Sequence, residues 1–254
     1  MSAKTVKNVA AILHKSFSVA IKQGLIQSNP CDAAELPKGS KKEIKPLSDS
    51  KIPLFLAEIE QEPFRNAFAL CLFAGLRRSE CLGLSWDSVD FEAQEITIHQ
   101  QLQESTALKK YVIVGSTKSG KARTIKPPAI AFDYLRAERL MQQENRMRAG
   151  AEWNNEWNLV FTNPFGRYIS PKTFDKHFKK VAVQIGRPDA RVHDLRHTAA
   201  TVAISQGADV KSVQDLLGHA SASFTLNVYA HTSEKMKQDT ANRMQNYYSN
   251  IGKA

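Results

Sequence analysis

The stretch Leu36-Pro-Lys-Gly-Ser-Lys-Lys-Glu-Ile-Lys-Pro46 constrains this chain more than any other feature. It is basic, carries a proline near each end and shows no apolar periodicity, so it adds nothing to a core and reads as an interdomain linker. It divides the chain very unequally. On its N-terminal side, Val6, Val9, Leu13, Phe17 and Ala20 recur at spacings of three and four, which predicts an amphipathic helix over 4–23, stopped by Asn29 and Pro30. One helix with a short tail is too small for a domain, so residues 1–45 read as the end of a larger helical module plus the linker. Everything after the linker has length enough for one domain with its own core.

In that larger part, Ser48 is placed to cap a helix running through Glu60, and Pro63 to open a second whose apolar run ends at Gly75. Arg77 then falls at a helix junction. Alternation over 95–99, 111–114 and 123–126 predicts three short strands in a small antiparallel sheet, the last two joined by a loop containing Ser119-Gly120. From there the pattern is helical, over 129–148, 171–185, 194–206, 210–217 and 232–249, with Gly186, Gly207 and Gly218 as stops. The fold class is therefore mainly α with a small antiparallel β-sheet (α+β).

Several classes are excluded. The run Ala67–Leu76 is the longest apolar stretch and is broken by Arg77, well short of the roughly 18 to 20 residues that cross a bilayer. Cys31, Cys71 and Cys81 are odd in number and contain no CxxC, which points to reduced thiols and a cytoplasmic protein. The 35 Lys+Arg against 25 Asp+Glu give a net charge of +10, which favours a polyanionic partner, nucleic acid first. The cations also cluster: Arg167, Lys172, Lys176, Lys179, Lys180, Arg187, Arg191 and Arg196 lie within thirty residues that hold three acids.

The chemistry concentrates in His193-Asp-Leu-Arg-His197, Leu217-Gly-His219 and Val228-Tyr229. His193 and His197, four apart on a helix, could ligate a metal as HExxH does. Against this, Asp194 stands where a glutamate base would be, a third ligand is not evident, and Arg196 would crowd a dication, so no metal site is assigned. His193 and Arg196, three apart at a helix start, instead suit an anion such as phosphate. Arg, His and Tyr together suit attack by a phenol on a phosphodiester, where positioning and neutralisation of phosphate oxygens do most of the work.

The ordered set Gly75-Leu-Arg77-Arg-Ser-Glu80, Thr117-Lys118-Ser119-Gly120, His193-Asp-Leu-Arg196-His-Thr, Leu217-Gly-His219 and Val228-Tyr229 resembles the tyrosine recombinases, particularly integrases of phages and conjugative transposons. The resemblance covers residues 46–232 as a catalytic domain. Residues 1–45 resemble the last helix and tail of the family's helical core-binding domain, and 233–254 a C-terminal helix exchanged between protomers.

The resemblance implies a role for each matching residue. Tyr229 is the nucleophile that forms a 3′-phosphotyrosine and frees a 5′-hydroxyl. Arg77 and Arg196 clamp the non-bridging oxygens, each with a planar fork of donors that lysine lacks. Lys118 protonates the leaving oxygen, His193 is the general base, His219 donates to the phosphate, and Glu80 and His197 support the site. No metal, ATP or other cofactor is implied. Arg78, Lys121, Arg123, Lys172, Lys176 and Lys179 are candidate contacts to the DNA backbone. The implied partners are double-stranded recombination sites, further protomers in a tetramer on DNA, and accessory excision or host DNA-bending proteins, with no membrane. Two alternatives stay open at this point: a DNA-binding fragment without recombination activity, and a nicking enzyme like the type IB topoisomerases.

Overall fold

The computed structural model describes residues 1–38, 45–115, 122–218 and, near the C-terminus, Ala241, Asn242, Met244, Gln245, Tyr248 and Ser249. The chain forms two compact units, Met1–Ile44 and Lys45–Ala254.

In the first unit, α1 (Ala3–Lys22) is started by the Ser2 hydroxyl, which accepts the Thr5 N–H. Asn29 begins a 3-10 turn over Pro30–Ala33. Its side-chain oxygen accepts the Cys31 N–H and its amide donates to the His14 carbonyl, pinning the turn to the helix. The apolar stripe is present, yet no α1 residue is buried, and Val9, Ile12 and Leu13 stand exposed.

The second unit is built on α3 (Arg65–Phe73), in which every residue from Asn66 to Leu72 is buried. Against it pack α2 (Lys51–Ile59), α5 (Ala129–Ala149), α6 (Pro171–Gln184) and α7 (Val192–Ser205). Phe55, Phe68, Phe174 and Phe178 interlock across α2, α3 and α6, with the rings of Phe68 and Phe174 only 4.5 Å apart. Each such fully buried ring contributes about 1.5–3 kcal/mol, which is why the helices converge here. A smaller cluster of Ala200, Ile204, Val213 and Leu217 seats α8 (Val210–Leu217) on α7.

Three local expectations are corrected. Ser48 does not cap α2 with its hydroxyl, which meets Ser50 Oγ; its carbonyl accepts the N–H groups of Lys51 and Ile52, so the helix starts at Lys51. The next helix starts at Arg65 and ends at Phe73, inside the expected 63–75. The strands form two sheets. One orders β1 (Val89–Asp90), β2 (Glu95–Ile98) and β5 (Arg123–Ile125), and the other is a hairpin of β3 (Gln100–Ser105) with β4 (Lys110–Gly115), all antiparallel. The sequence places β4 beside β5. It instead pairs with β3, whose residues QQLQES contain a single apolar side chain and so show no alternation to read. The mainly helical fold with small antiparallel sheets is the one the sequence pattern predicts. Two thirds of the expected last helix, 232–249, lie outside the described residues; the six described there are helical.

Candidate active site

Two helix ends and two helix starts meet at the site. After α3 the chain turns through Gly75 at φ +61°, and Arg77 then becomes the N-cap of α4 (Arg78–Leu82). Across from it α8 ends at Gly218, φ +60°, with α7 between them. Both glycines occupy the left-handed region, and a Cβ at Gly75 would lie 2.5 Å from Leu217 Cδ2, so these turns close directly on each other.

The arginines fasten these ends together. Arg196 has 0% exposure; its Nη1 donates to the Gly75 carbonyl at 2.6 Å and its Nη2 to the Leu217 carbonyl. Arg77 Nη2 donates to the Gly218 carbonyl at 3.0 Å, while its Nη1 and its backbone N–H both reach Glu80. Terminal helix carbonyls carry partial negative charge, so guanidiniums are stabilised there. Burial, and next the positive charge of Arg77, push the Arg196 guanidinium down to about 9, which leaves it charged at neutral pH.

Glu80 sits at the centre of this charge and is 1% exposed. Burial alone would raise its carboxyl. The hydrogen bonds and charge of Arg123, with the N–H and charge of Arg77, overcome burial and hold it at about 2. Arg123 donates Nη1 to Oε1 at 2.9 Å and Nη2 to Oε2 at 2.7 Å, a two-pronged pairing.

At the rim, His193 lies one turn before Arg196, with its ring edge-on to that of His197, centroids 4.5 Å apart. Desolvation, then Arg196, lower the His193 pKa against the opposing pull of Asp194, favouring the neutral ring that a proton acceptor requires. His197 is buried and driven to about 4 by desolvation and by His193, so it is neutral as well. Arg77, Arg78, Lys172, Lys176, Lys179, Arg191 and His193 line a cleft of about 870 Å³. Among the described residues no group of three His, Cys, Asp or Glu could hold a metal ion.

Of the sequence-predicted residues, Arg77, Glu80, His193, Arg196 and His197 are brought together. Lys118, Lys121, His219 and Tyr229 lie outside the described residues. Arg78, Lys172, Lys176 and Lys179 face the cleft, with Arg78 paired to Asp175 and Lys179 donating to the Pro188 carbonyl. Arg123, a candidate contact to the DNA backbone, has a side chain 13% exposed that pairs with the buried Glu80 carboxylate, which Arg77 also reaches. Arg191 was missed as a site residue. It caps α7 and opens the cleft wall with 62% of its side chain exposed, and its place two residues before His193 in the cation cluster was the available signal.

The family model described as "Phage integrase family" matches residues 45–236. A "Tyrosine recombinase XerC-like" protein of Caldanaerobacter subterraneus subsp. tengcongensis is 29% identical over 262 residues, covering 97% of this chain and 67% of its own length. The ICEBs1 integrase of Bacillus subtilis is 25% identical, covering 96% of this chain and 66% of its own. The chain thus spans about two thirds of these relatives. Among solved structures, the Tn1549 transposon integrase in complex with a circular intermediate DNA superposes with a TM-score of 0.78 at 23% identity, covering 96% of this chain and 80% of that one, a likeness of fold.

Proposed function

This chain belongs to the phage integrase family, the tyrosine recombinases that cut and rejoin DNA through a tyrosine, and from that premise we propose that its nucleophile is Tyr229 and its phosphate site the cluster of Arg77, Arg196 and His193. The phenol oxygen attacks the scissile phosphorus and the bond to the 5′-oxygen breaks. His193 takes the phenolic proton, and Lys118 gives one to the leaving oxygen. The product is a 3′-phosphotyrosine and a 5′-hydroxyl, and the reverse attack by another 5′-hydroxyl rejoins the strand. Because the phosphodiester is exchanged for another of similar energy, the cycle consumes no nucleotide. Arg77 and Arg196 stabilise the charge on the equatorial oxygens, while His219 donates a hydrogen bond to the phosphate.

One observation carries this reading: two guanidiniums, Arg77 and Arg123, converge on a single buried carboxylate with the buried Arg196 close by, at a cationic cleft whose lining includes a histidine biased to its neutral form. That set has surplus positive charge aimed at one anion and a proton acceptor next to it. The cations along the cleft supply the salt-dependent grip on duplex backbone. The substrates are recombination sites of a mobile element, worked on by a tetramer assembled on DNA, with residues 233–254 reaching a neighbouring protomer. Accessory excision or DNA-bending proteins set direction, and the setting is the bacterial cytoplasm at the nucleoid. No described helix is long and apolar enough to cross a membrane.

The test is a nicked duplex carrying the element's end, mixed with the chain in EDTA and resolved in SDS. An SDS-resistant adduct that disappears in Tyr229→Phe is the expected result. An adduct that persists in Tyr229→Phe overturns the assignment of the nucleophile, and no adduct on a cognate end overturns the activity.

A further inference from the structure

We propose that Arg123 is a positioning residue of this site: it holds Glu80 so that Arg77 keeps its charge for the phosphate, and it braces Gly218 at the end of α8. The inference rests on the function proposed above and deepens it.

Two contacts of its side chain and one covalent link support it. The first is the two-pronged pairing with Glu80, at 2.9 and 2.7 Å, which occupies both carboxylate oxygens. Arg77 also reaches Glu80, through its N–H and Nη1, and its other terminal nitrogen is held by the Gly218 carbonyl. Without Arg123, Glu80 would be left with Arg77 as its cationic partner, and the carboxylate would compete with a phosphate for that guanidinium. With Arg123 in place the carboxylate is shared, and the trio keeps a net positive charge.

The second contact is with the end of α8. A Cβ at Gly218 would fall 2.6 Å from Arg123 Cδ and 2.8 Å from its Nε, so the arginine stem lies directly against the residue that precedes His219. The third is covalent. Arg123 opens β5, with only Ala122 between it and the segment 116–121 that contains Lys118. β5 is fixed to β2 by the register Ile98↔Arg123 and Ile96↔Ile125, and by a 3.0 Å hydrogen bond between the Thr97 and Thr124 hydroxyls. Arg123 therefore braces the glycine that ends α8 and balances the acid beside Arg77.

A lysine could place one charge near Glu80 and could not span both oxygens. The rival role for Arg123 is a direct phosphate contact on DNA, and binding data separate the two. The experiment compares the full chain with Arg123→Ala, Arg123→Lys and Tyr229→Phe. It measures single-turnover adduct formation on the nicked duplex, and affinity for the uncleaved duplex against salt.

For Arg123→Ala the expected result is adduct formation slower by about a hundredfold, the scale for an ångström of misplacement at a reacting centre. Affinity stays within about twofold and the salt slope is unchanged, where loss of a phosphate contact would lower it by about 0.9. Arg123→Lys recovers part of the rate with the same slope. Adding Glu80→Gln to Arg123→Ala costs little more, because the two act through one pair. A wild-type rate in either Arg123 variant, or a reduced salt slope, overturns the proposal. If Arg123→Ala does not fold, the lysine variant decides it, since a fully active Arg123→Lys is incompatible with a two-pronged requirement. Failure of the wild type itself would instead strike the proposed function, with Tyr229→Phe as the internal control.

Discussion

Glu138→Gln should stabilise this protein at alkaline pH and leave it unchanged in acid. Glu138 lies on α5 against α3 with 4% exposure, and its Oε2 accepts a 2.8 Å hydrogen bond from Asn66 Nδ2. Burial raises its carboxyl from 4.5 to about 7, with the Asn66 hydrogen bond and the Arg65 charge pulling weakly the other way. Between those two values the folded chain holds a proton that the unfolded chain has released, so stability falls as pH rises through the window. Above about 7 the whole penalty is present. A gap of roughly 2.5 units at about 1.4 kcal/mol each gives on the order of 3 kcal/mol.

Glutamine has the shape of the neutral acid and cannot ionise. Asn66 Oδ1 is buried and accepts no hydrogen bond among the described residues, and the new amide could donate to it. For a domain of this size about 3 kcal/mol corresponds to roughly 6–12 °C in Tm. Thermal unfolding of both proteins at pH 5 and pH 8 checks this, and every other titrating group cancels in the difference. Equal Tm differences at the two pH values, or a variant less stable than wild type at pH 8, would refute the reasoning.

Glu80→Gln has the opposite sign: with the folded carboxyl held at about 2 against an ordinary 4.5, its stabilisation is complete above 4.5 and disappears as pH falls towards 2. Urea unfolding should show a loss of about 3 kcal/mol at pH 7 that shrinks through that acid window. Gly75→Ala puts a methyl 2.5 Å from Leu217 Cδ2 at φ +61°, so left-handed strain of about 1–2 kcal/mol adds to overpacking of about 1–3 kcal/mol, and urea midpoints measure the sum. Arg191→Ala removes an exposed cleft cation that also pairs with the buried Asp194, so it should cost about 1–3 kcal/mol in urea unfolding and lower the salt slope of DNA binding by about 0.9, read by titration at several salt concentrations.

What the sequence made legible was whatever is encoded by near neighbours. The helix over 129–148 has its periodicity within itself and is observed as Ala129–Ala149. Gly218 was readable as a stop because a left-handed helix end selects glycine locally. β3 was not legible: the residues of Gln100–Ser105 are strand-forming only through their pairing with Lys110–Gly115.

The site divides along the same line. Arg77, His193 and Arg196 could be picked out because each sits in a short motif at an element boundary. The destination of a guanidinium is a different matter, since its partner is chosen by packing over long separations. Arg196 reaches a carbonyl 121 residues away, Arg78 an aspartate 97 residues away, and Arg123 a glutamate 43 residues away. Its charge alone made Arg123 a candidate contact to DNA, since composition counts cations without saying which of them a buried acid will claim. Glu80 was equally visible as an acid three residues after Arg77, but its burial was not, and burial is what strengthens its pairing with both Arg77 and Arg123. A buried carboxylate next to a phosphate site must be neutralised by something other than the residue that binds the phosphate. With Glu80 buried between two arginines, the trio keeps a net positive charge, and Arg123 supplies its share from the strand that begins just past the Lys118 segment.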